Sequence, residues 1–255
     1  MTMKIIEEWS EYCGNMGSVV TRIGNVTISK NTGTTIACDF TNCLISLNTN
    51  MASLEDFKDN FKGRSFKIYS VLDLDKVADT NVKSDRKASL MVIGKETWLN
   101  KYSNITEKST PNALNYSIIS LADEDLVDFG NVVFEAFNYD KTTLQQSINL
   151  YLNGLKSGKI HYYGLKLEAQ IVSCALLHNN TAKDIAGLEL VSTRPKYQHL
   201  GLSKILVLNL LRENFSQDTE VIWLFAIEGS IAERYYSALG FKKMANIFIK
   251  TVNEG

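Results

Sequence analysis

Apolar and polar positions recur along this chain with two periods, most clearly in its second half. A strand-like run over 116–121 is followed by Asp123, Glu124 and Asp125, placed where a helix N-terminus favours negative charge. Leu126, Phe129, Val133, Phe134 and Phe137 then recur at helical spacing. A second helix carries Leu144, Ile148, Tyr151, Leu152 and Leu155, with Thr142 or Thr143 as its cap and Gly158 beyond its end. Two apolar runs, 160–167 and 171–177, flank Glu168, Ala169 and Gln170 and predict a hairpin. After a turn over 179–184, residues 185–193 read as a strand that Pro195 must end, because proline has no N–H to give to a ladder. The next helix is apolar almost all round, from Leu202 through Leu206, Val207 and Leu210, and is expected to be buried on most sides. The unbroken apolar run 221–227 predicts a strand covered on both faces. A helix over 230–238, a Gly240 cap and a strand over 246–252 complete the order β-α-α-β-β-β-α-β-α-β.

The first 110 residues alternate more loosely. Residues 18–29 suggest a hairpin turning near Asn25, and 35–47, 66–72 and 88–93 suggest further strands. Ser53 is placed to cap a short helix through Leu54, Phe57 and Phe61, and the charged stretch 73–87 suggests a loop or short helix. The polar stretch 104–112 contains Pro111, one of only two prolines, and a domain boundary is expected there: an α/β unit over 1–112 and a second domain over 113–255. An ordinary surface loop inside one domain is the alternative. On the two-domain reading, a fragment starting at Asn112 is expected to fold alone.

Charge narrows the function classes. Fourteen Lys and Arg stand against thirteen Asp and Glu through Asn112, and thirteen against fifteen after it. No basic face is implied, so nucleic acid is not an expected partner. No apolar run is long enough to span a bilayer, and the N-terminus lacks a signal-peptide pattern, so a cytoplasmic protein is expected. Cys13, Cys38, Cys43 and Cys174 show neither metal-ligand nor redox spacing, and His161 and His178 read as structural; no metal is implied.

Chemistry concentrates between Glu189 and Lys204. A strand ends, a short turn over 198–203 follows, and a helix begins at once. Such a turn presents unbonded backbone N–H groups and the positive end of a helix dipole, an anion site that phosphate commonly fills. Gly201 allows a phosphate to approach the backbone. The pattern Gln198-x-x-Gly201-x-Ser203 resembles the acyl-CoA pyrophosphate loop of the GNAT superfamily of N-acetyltransferases, Gln/Arg-x-x-Gly-x-Gly/Ala. About thirty residues on, Ala232 to Phe241 resembles the family's Ala-x-x-Phe/Leu-Tyr-x-x-Leu-Gly-Phe, and the order and spacing of the two motifs fit.

This resemblance implies a GNAT fold, α/β of the α+β kind, with a mixed, mostly antiparallel sheet over 113–255. In that fold the strand before the loop and the next strand splay apart around the pantetheine arm. The N-terminal half is similar to the first copy of tandem GNAT proteins that has lost its loop. The resemblance further implies that backbone groups of Val191, Ser192 and Thr193 hold the acyl carbonyl and pantetheine amides. Gln198, His199, Leu200, Gly201, Leu202, Ser203 and Lys204 would hold the pyrophosphate, and Tyr236 would protonate the leaving thiolate. Glu189 is the candidate base, since strand period 2 puts it on the face of Val191 and Thr193. An exposed or ion-paired glutamate is the alternative reading. The implied reaction is direct attack by a primary amine of a small molecule or peptide on acetyl-CoA, as monomer or homodimer. The rival reading is a non-catalytic acyl-CoA-binding module. Ser203 departs from the loop pattern. Leu224 stands where members acting on ribosomal-protein N-termini carry Glu, and Gly229 where many members carry Asn.

Overall fold

The computed structural model describes residues 1–23, 26–31, 42–46, 59–61, 65–71, 85–102, 115–179, 182 and 184–252. In chain order the elements are α1 (Thr2–Asn15), β1 (Val19–Ile23), β2 (Val26–Lys30), β3 (Cys43–Ser46), β4 (Phe66–Ser70), β5 (Arg86–Gly94), α2 (Lys95–Tyr102) and β6 (Tyr116–Ser120). Then come α3 (Leu126–Phe137), α4 (Leu144–Lys156), β7 (Ile160–Leu167), β8 (Gln170–Asn179), β9 (Ile185–Thr193), α5 (Leu202–Phe215), β10 (Val221–Ile227), α6 (Ile231–Leu239) and β11 (Lys242–Val252). From β6 onward this is the order expected from hydrophobic periodicity. The class is α+β, with mostly antiparallel pairing; β3 beside β4 is a parallel exception. Most of the expected helix after Ser53, the strand segment before Asn42, Cys38, the stretch 104–112 and residues 73–84 of the expected loop 73–87 lie outside the described residues; Arg86 and Lys87 of that loop instead begin β5, and Phe61 ends a 3-10 turn over Asp59–Phe61.

Contacts gather the chain into two units, Met1–Val92 with Trp223–Gly255, and Ile93–Ile222. The first of these joins the two ends of the chain. The reason lies in β11, whose residues 248–252 pair antiparallel with β4 and whose residues 242–249 pair antiparallel with β5. The end of the chain thus has both neighbours in the first hundred residues.

In the first unit the strands run in the order β1-β2-β3-β4-β11-β5-β10. The expected hairpin is present, with Ile23 opposite Val26. Val26, Ile28, Leu44, Phe61, Phe66, Ile68 and Phe248 form one apolar cluster, in which the rings of Phe61 and Phe66 stack at 4.4 Å. α1 lies outside the expected elements, because three glutamates interrupt its apolar stripe and Met1 gives it no side-chain cap. Ile5, Trp9, Tyr12 and Cys13 nonetheless fall on one buried face. Trp9 packs between Tyr69 and Phe225, each 4.8 Å away, and the buried Glu8 carboxylate accepts the Trp223 indole N–H at 2.6 Å.

In the second unit β6, β7, β8 and β9 pair antiparallel in sequence order. Residues 171–178 of β8 are all buried, with α3 and α5 both packed on that strand. Phe129 of α3 meets Tyr151 and Tyr162 edge-on at 5.1 and 4.9 Å. Neither expected threonine caps α4 through its side chain. The Asp140 carboxylate accepts from the Thr142 N–H at 2.9 Å and caps the 3-10 turn that precedes the helix.

Candidate active site

β9 carries a bulge in its second half. Glu189 faces Leu176 and Ser192 faces Cys174, so Leu190 and Val191 together stand opposite Ala175. Leu190 is left-handed, with φ 51°, a conformation that costs a non-glycine residue roughly 1–2 kcal/mol. The Ser192 hydroxyl donates to the Leu190 carbonyl at 2.9 Å and braces the kink. Strain of this kind concentrates at functional sites.

The bulge corrects one expectation. An extra residue reverses strand alternation, so Glu189 does not share a face with Val191 and Thr193. It lies with Ser192 on the face of Leu176 and Cys174, where the Cys174 thiol meets the Phe129 carbonyl of α3 at 4.0 Å. Glu189 is half-buried there. Burial also pushes the Cys174 thiol well above its ordinary range, with Arg194 opposing, so this cysteine is no nucleophile.

Val191 and Thr193 are half-buried and Ser192 is buried. The Ser192 carbonyl already accepts from Ser173 Oγ at 2.8 Å, and the Thr193 carbonyl from Gln198 Nε2 at 3.1 Å. Gln198 therefore uses its side chain to fasten the base of the loop. Arg194 extends the β-pairing by one residue, its N–H donating to the Val172 carbonyl at 2.9 Å, and Pro195 then ends it.

Beyond this point the main chain is left-handed at His199, φ 63°, and again at Gly201, φ 75°. Gly201 is the N-cap of α5, and no side chain caps the helix there. The Ile205 N–H makes the first intrahelical bond, to the Gly201 carbonyl at 3.1 Å, so the N–H groups of Leu202, Ser203 and Lys204 have no carbonyl one turn back. A Cβ built on Gly201 would meet nothing within 4 Å. His199, Leu200 and Lys204 are exposed, Ser203 is half-buried, and Leu202 points into the core. The result is a helix N-terminus with unbonded backbone donors and the exposed Lys204 in its first turn, an arrangement that favours an anion. An open hollow of about 670 Å³ lies apart from Gly201, lined by Asn115, Asp128, Leu167, Glu168, Ala169, Gln170 and Tyr197.

Tyr236 belongs to the first unit. It is 8% exposed on α6, with its ring edge-on to Tyr235 at 4.9 Å and Phe241 at 5.6 Å. Ser230 caps α6, and Gly240 ends it at φ 102°, as expected. Leu224 is a core residue, Gly229 is left-handed at φ 74°, and the Glu228 carboxylate is taken by Lys243 at 2.5 Å. Among the described residues no cluster of three or more His, Cys, Asp or Glu is gathered for a metal, and no helix is long and apolar enough to cross a membrane.

Residues 122–241 match the model of the Acetyltransferase (GNAT) family, a span that includes the bulged strand, the anion loop and Tyr236. These residues are a GNAT acetyltransferase domain. GNAT proteins are N-acyltransferases that draw on acyl-CoA. Solved structures share the fold. A GCN5-related N-acetyltransferase from Kribbella flavida has 12% identity and a TM-score of 0.71 over 99% of this chain and 95% of its own. A conserved protein of unknown function from Staphylococcus epidermidis has 12% identity and a TM-score of 0.67 over 92% and 94%. A tandem GNAT protein from the clavulanic acid biosynthesis pathway has 13% identity and a TM-score of 0.58 over 92% and 82%. No curated protein sequence matches the chain.

Proposed function

We propose that this protein is an acetyl-CoA-dependent N-acetyltransferase acting by direct attack of a primary amine, from a small molecule or a peptide, on the thioester. The observation that carries the reading is the uncapped start of α5 at a left-handed Gly201 with open space before it. In this reading the backbone of residues 191–193 orients the acyl carbonyl, and residues 198–204 hold the pyrophosphate. Tyr236 gives its proton to the CoA thiolate as the C–S bond breaks. Glu189 takes the amine's proton, directly or through water. The bulge aims its carboxylate at the α3 side of the sheet, so we place the incoming amine on that side. We also propose a cytoplasmic location, and a first half, 1–112, that derives from a decayed GNAT copy.

The turned Glu189 also favours a second reading, a module that binds acyl-CoA without turning it over. Calorimetry with acetyl-CoA, followed by thiol release against a panel of amines, amino acids, polyamines and peptides, separates the two. Tyr236→Phe and Glu189→Gln are expected to lower turnover by on the order of 10²–10⁴ while acetyl-CoA affinity holds. Binding without thiol release for any acceptor supports the module, and absence of binding refutes both.

A further inference from the structure

Arg194 sits at the junction of β9 and the loop, and its side chain turns away from the solvent that the loop faces. Its side chain is 10% exposed, and that of Glu135, its ion-pair partner, 32%. Nε donates to the Ile171 carbonyl on β8 at 2.9 Å, and Nη1 meets Glu135 Oε1 of α3 at 2.5 Å. Its main-chain N–H is already held by Val172, and its carbonyl accepts from the Tyr197 N–H at 2.9 Å. Residues 195–201 beyond it are otherwise exposed apart from the half-buried Tyr197, and are tied back by Gln198 on Thr193 and by Tyr197 Oη on Gln170 at 3.2 Å.

The location makes a purely stabilising ion pair an odd choice. A charge pair with one partner buried and the other half-buried is weak evidence for stability, because desolvation offsets much of its attraction. Its use is geometric: a planar fork held from two sides fixes a direction in a way that an apolar side chain cannot. Here the direction fixed is that in which the chain leaves β9, and so the place where the N–H groups at the start of α5 point. Glu135 also neutralises Arg194, which leaves the loop's affinity for an anion to those backbone donors and to Lys204.

Resting on the acyl-CoA reading above, we propose that Arg194 and Glu135 are a positioning pair, which sets the anion loop in advance for the pyrophosphate of acyl-CoA without touching it. A preset loop binds without the ordering cost that a loose one must meet. Loss of either partner lets the loop relax, and binding weakens even where the fold survives.

A double-mutant cycle read in CoA affinity tests this. Arg194→Met, Glu135→Leu and the pair together are compared with the full-length wild-type chain by calorimetry with CoA. Arg194→Lys and Glu135→Gln serve as milder variants in case the first set does not fold. Leu150→Ala, a buried position on α4, provides a loss of stability unconnected with the loop. Each single change is expected to weaken CoA about tenfold, and the double change no more than either single, the non-additivity of residues acting as one unit. The Leu150 variant is expected to melt earlier and bind CoA as wild type does. A cycle that shows coupling in thermal midpoint but none in CoA affinity makes the pair merely structural and overturns the inference. Wild type that binds no CoA overturns the acyl-CoA reading, and the inference with it; the two failures are thus distinct.

Discussion

At the scale of the residue, two glycines have different work. Gly187 pairs with His178 across β8 and β9, and a Cβ built at 187 would lie 2.2 Å from His178 Nε2. The imidazole fills the space that a side chain would take, and it is 1% exposed. Gly187→Ala is expected to destabilise the protein by about 1–3 kcal/mol through overpacking. His178→Ala in the same chain should return part of that loss. Urea midpoints measure both, and an unchanged midpoint for the single variant would mean that the ring moves aside freely. Gly201 is the opposite case, with nothing near it and a left-handed backbone that Asp and Asn tolerate better than other side chains. Gly201→Asp should therefore fold and lose acetyl-CoA binding, while Gly201→Asn, with similar bulk and no charge, should lose less. Equal affinities for the two variants and wild type would remove the loop from the site.

At the scale of the element, α6 shows how a helix start is tied to a sheet. Ser230 accepts from the Glu233 N–H at 3.1 Å, and the Glu233 carboxylate accepts the Gly229 N–H at 2.6 Å and the Ser89 hydroxyl of β5. These bonds, the Ser89 hydroxyl foremost, hold the Glu233 carboxyl below its ordinary value of 4.5. A depressed carboxyl contributes stability above its unfolded pKa and loses it as pH falls through the lower folded value. The stability gap between wild type and Glu233→Gln should thus be full above about pH 5 and close as pH falls below the ordinary carboxyl range. Denaturant unfolding at a series of pH values measures that gap. A gap that stays constant over this range would leave the Ser89 bond without energetic weight.

At the scale of the whole molecule, β11 decides what can be cut. Both of its partners, β4 and β5, lie before residue 112. A fragment starting at Asn112 keeps every residue proposed for the cofactor, yet strands β11 with unpaired N–H and C=O groups along both edges. Such edges aggregate. The fragment is expected to be insoluble or only partly folded, and co-expression with residues 1–111 to restore it. Circular dichroism and gel filtration test this. A soluble, cooperative fragment with full acetyl-CoA affinity would show that the second domain stands alone after all.

Much of this was legible from the chain alone, because local rules govern it. Hydrophobic period gave every element from β6 to β11, Pro195 and Gly201 marked the end of a strand and the start of a helix, and two motifs at the right spacing marked the family. Tertiary structure decided the rest, wherever a partner far along the chain sets the outcome. The bulge at Leu190 depends on pairing with β8, so period 2 alone misplaced Glu189. α1 earns its burial from Tyr69, Trp223 and Phe225, which its own sequence cannot announce. Arg194 looks like any surface arginine until Glu135, 59 positions away, meets it. The two ends of the chain share one unit because strand pairing ignores distance along the chain, while composition and proline report only what is near.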